Sequence, residues 1–349
     1  MRAPVFLLVC GLLAMCMSPA AAQTALFVDD APLQLALEGP LARLVAHAPD
    51  SLDPYPATLR LERAGGAQNF PIQINPRGVA RRVGGICSFP PLAIAFDRST
   101  VAGTVFQGQS RLKLVNACKP GAAYEQYLVR EYTAYRLYNL ITPMSFRVRP
   151  TQMTYHDTDG RRGDRTRFAF LIESTDDLAR RNGRAELEVR VNTVDYSRLD
   201  PRMTTVYALF QYMIGNLDWD FTSGRPDEHC CHNNKLLARE GAVADLVSVP
   251  YDFDYSGFVD TPYARPPENV PVSSVRARFY RGLCRFRDEL PGAIALFRSK
   301  RADILALIAT ETRLTADSRR AAAAYIEPFF AVLDDTVRAQ HEFTGRCPP

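Results

Sequence analysis

Three groups of polar side chains in this chain have the types and spacing that chemistry requires. The first pairs Lys113 with Glu131. Lys113 lies in Arg111-Leu112-Lys113-Leu114-Val115, where charged and apolar residues alternate as in a half-buried strand. Glu131 shares a helical stripe with Tyr124, Tyr127, Leu128, Tyr135 and Tyr138. A carboxylate in such a stripe is partly buried, and a buried charge needs a partner. A lysine on the adjacent strand is the natural one, and such a pair can hold the lysine against nucleotide phosphates. Taken alone, the simpler reading is a structural ion pair, or a Glu131 at the stripe's edge facing water.

The second group is Gly215-Asn216-Leu217-Asp218-Trp219-Asp220, directly after an apolar helical segment and holding the chain's single tryptophan. A helix exit can present acids into a cleft; it can equally be a solvated, capped end. The third is His232-Asn233-Asn234-Lys235, followed by Tyr251-Asp252-Phe253-Asp254 after an apolar run. If that run continues as a strand, Asp252 and Asp254 straddle Phe253. One of them can then enter a cleft, where carboxylate and amide oxygens suit a hard cation such as Mg²⁺. The order is more specific than any member: a strand lysine, a helix glutamate, an aspartate, an asparagine and an aspartate closing a strand. Those are the parts needed for phosphoryl transfer.

These residues must be positioned by regular elements. Residues 23–50 read as an apolar, Ala/Leu-rich segment with a short helix. Strand patterns follow at 57–63, 70–75, 92–96 and 111–115, separated by turn residues such as Gly65-Gly66 and Gly84-Gly85. A helix over 123–140 is closed by Thr142-Pro143. Strands at 145–155 and 167–173 flank a charged hairpin loop. Beyond them come a helix over 202–215, a two-strand unit at 234–238 and 244–249, and a nearly all-helical stretch over 275–343. The expectation is an α+β chain of two lobes, strand-rich over 23–173 and helical over 174–349, with a cleft between them.

Residues 1–22 read as a secretory signal: Arg2, a short apolar run, then Ala20-Ala21-Ala22. The run is too short to span a bilayer, so the expected location is periplasmic or extracellular, with no membrane span. Six of the eight cysteines lie beyond this segment. In an oxidising compartment an even number suggests disulfides. Cys87 with Cys118 would staple the first half, and Cys230, Cys231, Cys284 and Cys347 would cross-link the second. The formal charge of the whole chain is +4, with no basic tail, which argues against nucleic acid as a partner.

Over roughly 70–258 the chain resembles the spore-coat-H-like (CotH) family of atypical secreted protein kinases, with a looser similarity to HipA-type kinases. The similarity is carried by several segments. Asn75-Pro76-Arg77-Gly78 with Arg81-Arg82 resembles the family's arginine–glycine segment, and Phe168-Ala169-Phe170-Leu171-Ile172-Glu173 its interlobe hinge strand. Lys113, Glu131, Asn216-x-Asp218, Asn233 and Asp252-Phe253-Asp254 supply the rest. The resemblance implies a two-lobed kinase-like fold with one helix in its N-lobe. It implies ATP as the nucleotide, Mg²⁺ or Mn²⁺ as the metal, and a protein hydroxyl as acceptor. On this reading Lys113, held by Glu131, contacts the phosphates, aided by Arg77, Arg81 and Arg82. Asp218 is the catalytic base, and Asn233 with Asp252, or Asp254 in its place, holds the metal. Backbone at Ile172 and Glu173 meets the adenine.

The ordinary G-x-G-x-x-G loop is missing, and the insert over 220–231 is longer than in HipA-type kinases. The alternative is a catalytically inactive, kinase-like envelope protein that only binds. Zinc on His229-Cys230-Cys231-His232 is disfavoured, because four adjacent ligands wrap a tetrahedral ion poorly. A metal-dependent glycosyltransferase would leave Lys113 and Glu131 unexplained. A glycosidase using Asp218 and Asp220 would place its carboxylates close together on one loop.

Overall fold

The computed structural model describes residues 25–82, 85–226, 229–345 and 347. The segment 1–22, expected to be a signal peptide, lies outside the described residues. No helix among the described residues is long and apolar enough to cross a membrane.

Alternating apolar residues build the first half. β1 (Leu33–Gly39) leads into the short helix α1 (Leu41–His47), then β2 (Tyr55–Leu61), β3 (Gln68–Pro76), β4 (Leu92–Phe96) and β5 (Arg111–Asn116). The long helix α2 (Ala122–Ile141) follows and stops where Thr142, extended before Pro143, can no longer continue it. β6 (Val148–Asp157) and β7 (Arg165–Ile172) form a hairpin. These seven strands close into a barrel in the order β1-β2-β3-β4-β5-β7-β6. All pairings are antiparallel except β1 with β6, which run parallel, Leu37 beside Tyr155.

That closure overturns the two-lobed, kinase-like expectation. The physical reason is β1. Its residues Leu33, Leu35 and Leu37 alternate with polar or small ones, and the last two point into the barrel core with Leu59, Ile74, Ile94, Leu114, Met153 and Leu171. The 23–50 segment, expected to hold only a short helix, which forms as α1, therefore also supplies the strand that joins both edges of the sheet and leaves no open edge. The strand-rich half also holds two α-helices, not one.

The second half begins with α3 (Thr175–Arg181) and the two-residue strand β8 (Ala185–Glu186). Next is α4 (Pro201–Ile214), capped by Asp200, whose side chain accepts from the Met203 amide, with Pro201 in the first turn. β9 (Asn234–Ala238) and β10 (Val247–Pro250) join β8 in a small antiparallel sheet. The helices α5 (Leu290–Ser299), α6 (Arg301–Thr310), α7 (Ala316–Asp334) and α8 (Thr336–Thr344) complete the chain.

One apolar cluster runs from the barrel's outer face through α2 into these helices. On β7, Ala169 and Leu171 face the barrel interior, whereas Phe168, Phe170 and Ile172 face outward, onto Tyr132 and Tyr135 of α2. A strand buried on both faces reads as a continuous apolar run, as Phe168-Ala169-Phe170-Leu171-Ile172 does. On β5 the same parity turns Leu112 and Leu114 inward and puts Lys113 on the side of Val115, which packs with the helical half. Disulfides join Cys87 to Cys118, Cys230 to Cys231 and Cys284 to Cys347. The Cys87–Cys118 staple is the one expected in the first half.

Leu37 is fully buried. Leu37→Ala should cost about 2–5 kcal/mol, the usual loss for a buried leucine in a barrel interior, read from urea unfolding followed by circular dichroism. A loss of only a few tenths would mean that β1 is not part of the closed core.

Candidate functional site

The site is built at the exit of α4 and at the open end of the β9–β10 ladder. Gly215 ends α4 with φ 61°, and its amide bonds back to Gln211 and Tyr212. A Cβ there would lie 1.9 Å from the Tyr325 hydroxyl, so only glycine fits this left-handed turn. The loop beyond it is held rigidly. Trp219 Nε1 donates to the Asn216 carbonyl at 2.8 Å, and the Asp218 amide donates to Asn216 Oδ1 at 3.1 Å. The Arg281 guanidinium lies over the Trp219 ring and donates to the carbonyls of Leu217 and Trp219. Asp220 folds back on its own loop, accepting from the Thr222 and Ser223 amides. The two acids of this loop therefore diverge: Asp220 shapes the turn and Asp218 faces the cavity.

Asp218 Oδ1 meets His232 Nε2 at 2.8 Å and the Arg225 guanidinium at 3.3 Å. The Asn233 side-chain amide donates to the Asp218 carbonyl at 2.7 Å and to its Oδ2 at 3.1 Å. Asn233 precedes β9, Asp252 follows β10, and both adopt left-handed backbone, φ 50° and 64°. Asn and Asp tolerate this region best among residues with a Cβ, and it persists only where the surroundings enforce it. Here the Tyr251 amide bonds to the Asn233 carbonyl, and the Asp252 amide bonds to Tyr135 Oη from α2.

That kink changes the expected geometry. Asp252 and Asp254 do not alternate along a strand; both lie past its end and reach the same cation. The cation is Arg81. Its guanidinium lies 2.7 Å from Asp252 Oδ1, 3.3 Å from Asp254 Oδ2 and 3.5 Å from Glu131 Oε1. Arg81 is 8% exposed and Glu131 2%. Tyr263 Oη donates to Asp254 Oδ2 at 2.9 Å. The partner of Glu131 is thus Arg81, not Lys113.

One guanidinium cannot neutralise three carboxylates, two buried and Asp252 about a third exposed, and their proton affinities diverge accordingly. Burial pushes Glu131 up to about 7 against the pull of Arg81. Burial raises Asp254 well above the carboxylate range, with the charges of Asp252 and Glu131 adding to it. For Asp252, burial is outweighed by Arg81 and Arg77, which hold it below its ordinary value. Lys113 Nζ rests over the rings of Tyr251, at 4.7 Å, and Phe146, at 5.5 Å. Burial lowers its ammonium to about 7, with Arg77 and Lys235 pushing the same way.

The structure therefore brings Arg77, Arg81, Asp218, Asn233, Asp252 and Asp254 to the wall of one cavity of about 370 Å³. Lys113 reaches it through Tyr251, which lines the cavity. Glu131 stands behind Arg81. Glu173 is not part of it: its carboxylate is taken by Arg181, at 2.8 Å, and by the Arg147 amide, and its own amide bonds the Arg147 carbonyl. Arg82 is tied to the carbonyls of Gly78, Ala48 and Pro49. Arg225, His232, Lys235 and Tyr255 also line the wall without an assigned role in the sequence reading; His232, Lys235 and Tyr255 flank the assigned Asn233 and Asp254, whereas Arg225 had no signal.

The donors facing the cavity from Asp218, Asn233 and Asp252 are oxygen atoms of carboxylates and an amide, the set a hard divalent cation takes. Among the described residues no three His, Cys, Asp or Glu side chains are gathered into a ready metal cage. Cys230 and Cys231 are bonded to each other, so neither offers a thiolate to zinc. No protein-family model matches the chain, and no curated protein matches it in sequence.

The raised acid at Glu131 sets a pH dependence. Its native state keeps a proton that the unfolded chain releases, so stability is full below about 4.5 and declines as pH rises towards about 7. Glu131→Gln should flatten that decline, so that its Tm gains on the parent's across the window. A variant that instead loses more Tm above pH 7 than below 4.5 would show the ionised Glu131–Arg81 pair to be net stabilising. Asp254, raised in the same direction, remains in the variant, so the decline lessens without vanishing, and the depressed Asp252 acts only at the acid end, below its ordinary 3.8.

Proposed function

We propose that this chain transfers a phosphoryl group from a nucleoside triphosphate such as ATP, bound with Mg²⁺ or Mn²⁺, to a protein hydroxyl. The observation that carries the reading is the meeting of Asp218, Asn233 and Asp252 with Arg77 on one cavity, beside Lys113. Arg77 and Lys113 have no carboxylate within 4 Å among the described residues, and each faces the other's positive charge. An anion arriving there relieves that repulsion, and a polyphosphate presents several oxygens to it at once. A hard cation on Asp252 and Asn233 would supply neutralisation of the phosphate charge.

The chain's own residues would do the remaining work. Asp218 is 22% exposed at its side chain, open enough to meet an acceptor hydroxyl. His232 and Asn233 fix the carboxylate's orientation, and Arg225 offsets its charge. Asp218 then accepts the hydroxyl proton as the oxygen attacks. Arg81 and Glu131 act one step back, fixing where Asp252 and Asp254 point. Such a site works by positioning and charge neutralisation.

One observation favours a second reading, a binding protein without turnover. Arg81 already contacts Asp252 and Asp254, the acids a metal would need.

The two readings separate by mutation. ATP with Mg²⁺ or Mn²⁺ should raise the Tm of the mature protein, since a ligand bound only by the native state must stabilise it. Asp218→Asn should keep that shift and lower transfer of labelled phosphate by about 10²-fold or more. Asp252→Asn should shrink the shift itself. A shift without transfer in the parent protein, or no shift with either metal, removes the transfer reading and leaves the binding one.

A further inference from the structure

The hairpin that joins β6 to β7 carries basic residues that the site above does not use. Beneath it opens a second cavity, of about 70 Å³, between the hairpin, the start of α1, and residues 88–89 and 116–121. Its apolar wall is formed by Leu41, Phe89 and Tyr155, the last two rings meeting edge-on at 5.2 Å. Its rim is cationic, with Lys119, Arg162, Arg165 and Arg167. None of these four has a carboxylate partner among the described residues. Arg162 lies over the Phe89 ring instead, at 5.9 Å.

The acids nearby are engaged elsewhere. Asp157, in the wall, accepts from the Ala42 amide at 2.9 Å and from the Arg161 and Arg162 amides at 2.9 and 3.0 Å. Asp159 is paired with Arg43 and Asp164 with His156. The hollow is therefore apolar inside and uniformly positive outside. Two buried oxygens of its lining residues, Asn116 Oδ1 and Tyr155 Oη, have no hydrogen-bond partner. Asn116 is only 4% exposed.

We propose that this pocket docks an acidic segment of a partner protein. One aliphatic side chain of the partner seats against Phe89 and Tyr155, and flanking carboxylates meet the four cations. The volume suits one side chain. A nucleic acid or an anionic polysaccharide would match a continuous cationic track; here the cations ring an apolar hollow. The segment that carries Phe89 also carries Arg81 and Pro91 of the first cavity. A protein held here lies beside the place where its hydroxyl would be phosphorylated. The pocket thus takes its purpose from the phosphoryl-transfer reading, whereas the binding it predicts does not need that reading.

Fluorescence anisotropy tests it, using the full mature chain, no nucleotide, and a fluorescein-labelled peptide of aspartates and glutamates around a single leucine. The labelled peptide should bind. Replacing its leucine with serine should weaken binding roughly tenfold, as loss of one buried aliphatic group does. Arg162→Glu combined with Arg165→Glu should weaken it roughly tenfold or more, with Tm unchanged because both side chains lie on the rim. No binding, equal binding of the serine peptide, or heparin binding that the double variant abolishes while the peptide still binds would each overturn the proposal. Failure here leaves phosphoryl transfer standing, and failed transfer with intact peptide binding leaves the docking pocket standing.

Discussion

The organisation of this molecule around its cavity depends on one buried cation. Arg81 comes from the segment between β3 and β4 and ends among Glu131 of α2 and Asp252 and Asp254 beyond β10. Asp252 and Asp254 belong to the helical half, Glu131 to the helix α2 packed on the barrel, and the arginine to a barrel loop. Each acid would be costly to bury without it, and removing one partner of such a cluster typically costs about 3–5 kcal/mol. The cluster is therefore a clamp: it fixes how the arginine segment sits against α2, and it sets the direction in which Asp252 opens to the cavity.

The surplus of acid over base in this clamp gives it chemical character. Two of the carboxylates hold protons more tightly than usual and the third less tightly. Paired groups whose environments push their proton affinities apart are found where proteins bind and process charged ligands, as well as in structural networks. A few residues away, Lys113 has aromatic rings for neighbours where a carboxylate was expected. Excess negative charge and positive charge without a close ion-pair partner thus stand side by side along one cavity. A ligand that carries both signs, such as a metal-bound phosphate, is complementary to that arrangement.

Much of this was legible in the residues, and the failures have physical causes. The helix behind Glu131, the strand of Lys113 and the two strands whose ends Asn233 and Asp252 flank follow from local periodicity, and each formed within a few residues of its expected bounds. β1 was missed because Leu33-Gln34-Leu35-Ala36-Leu37 sits in an alanine- and leucine-rich stretch where helical and strand patterns compete. Its parallel pairing with β6 is a long-range event that no local pattern encodes. The partner of Glu131 was misassigned for a related reason. Arg81 lies in an irregular loop without periodicity, so the nearest patterned cation, Lys113, was the only visible choice. The convergence of Asp252 and Asp254 was hidden by the left-handed turn at Asp252, which breaks the strand's alternation.

The Cys87–Cys118 bond has a consequence for where the molecule can be whole. It ties the loop bearing Arg81 to the chain just past β5, shortening the free tether on which the arginine is delivered to its acids. Among reducing thiols that tether lengthens, and the arginine must find its acids from a wider range of loop conformations. In an oxidising surrounding the search is narrowed before folding ends. Assembly of the acid–base clamp is thereby coupled to the redox state of the place in which the chain matures.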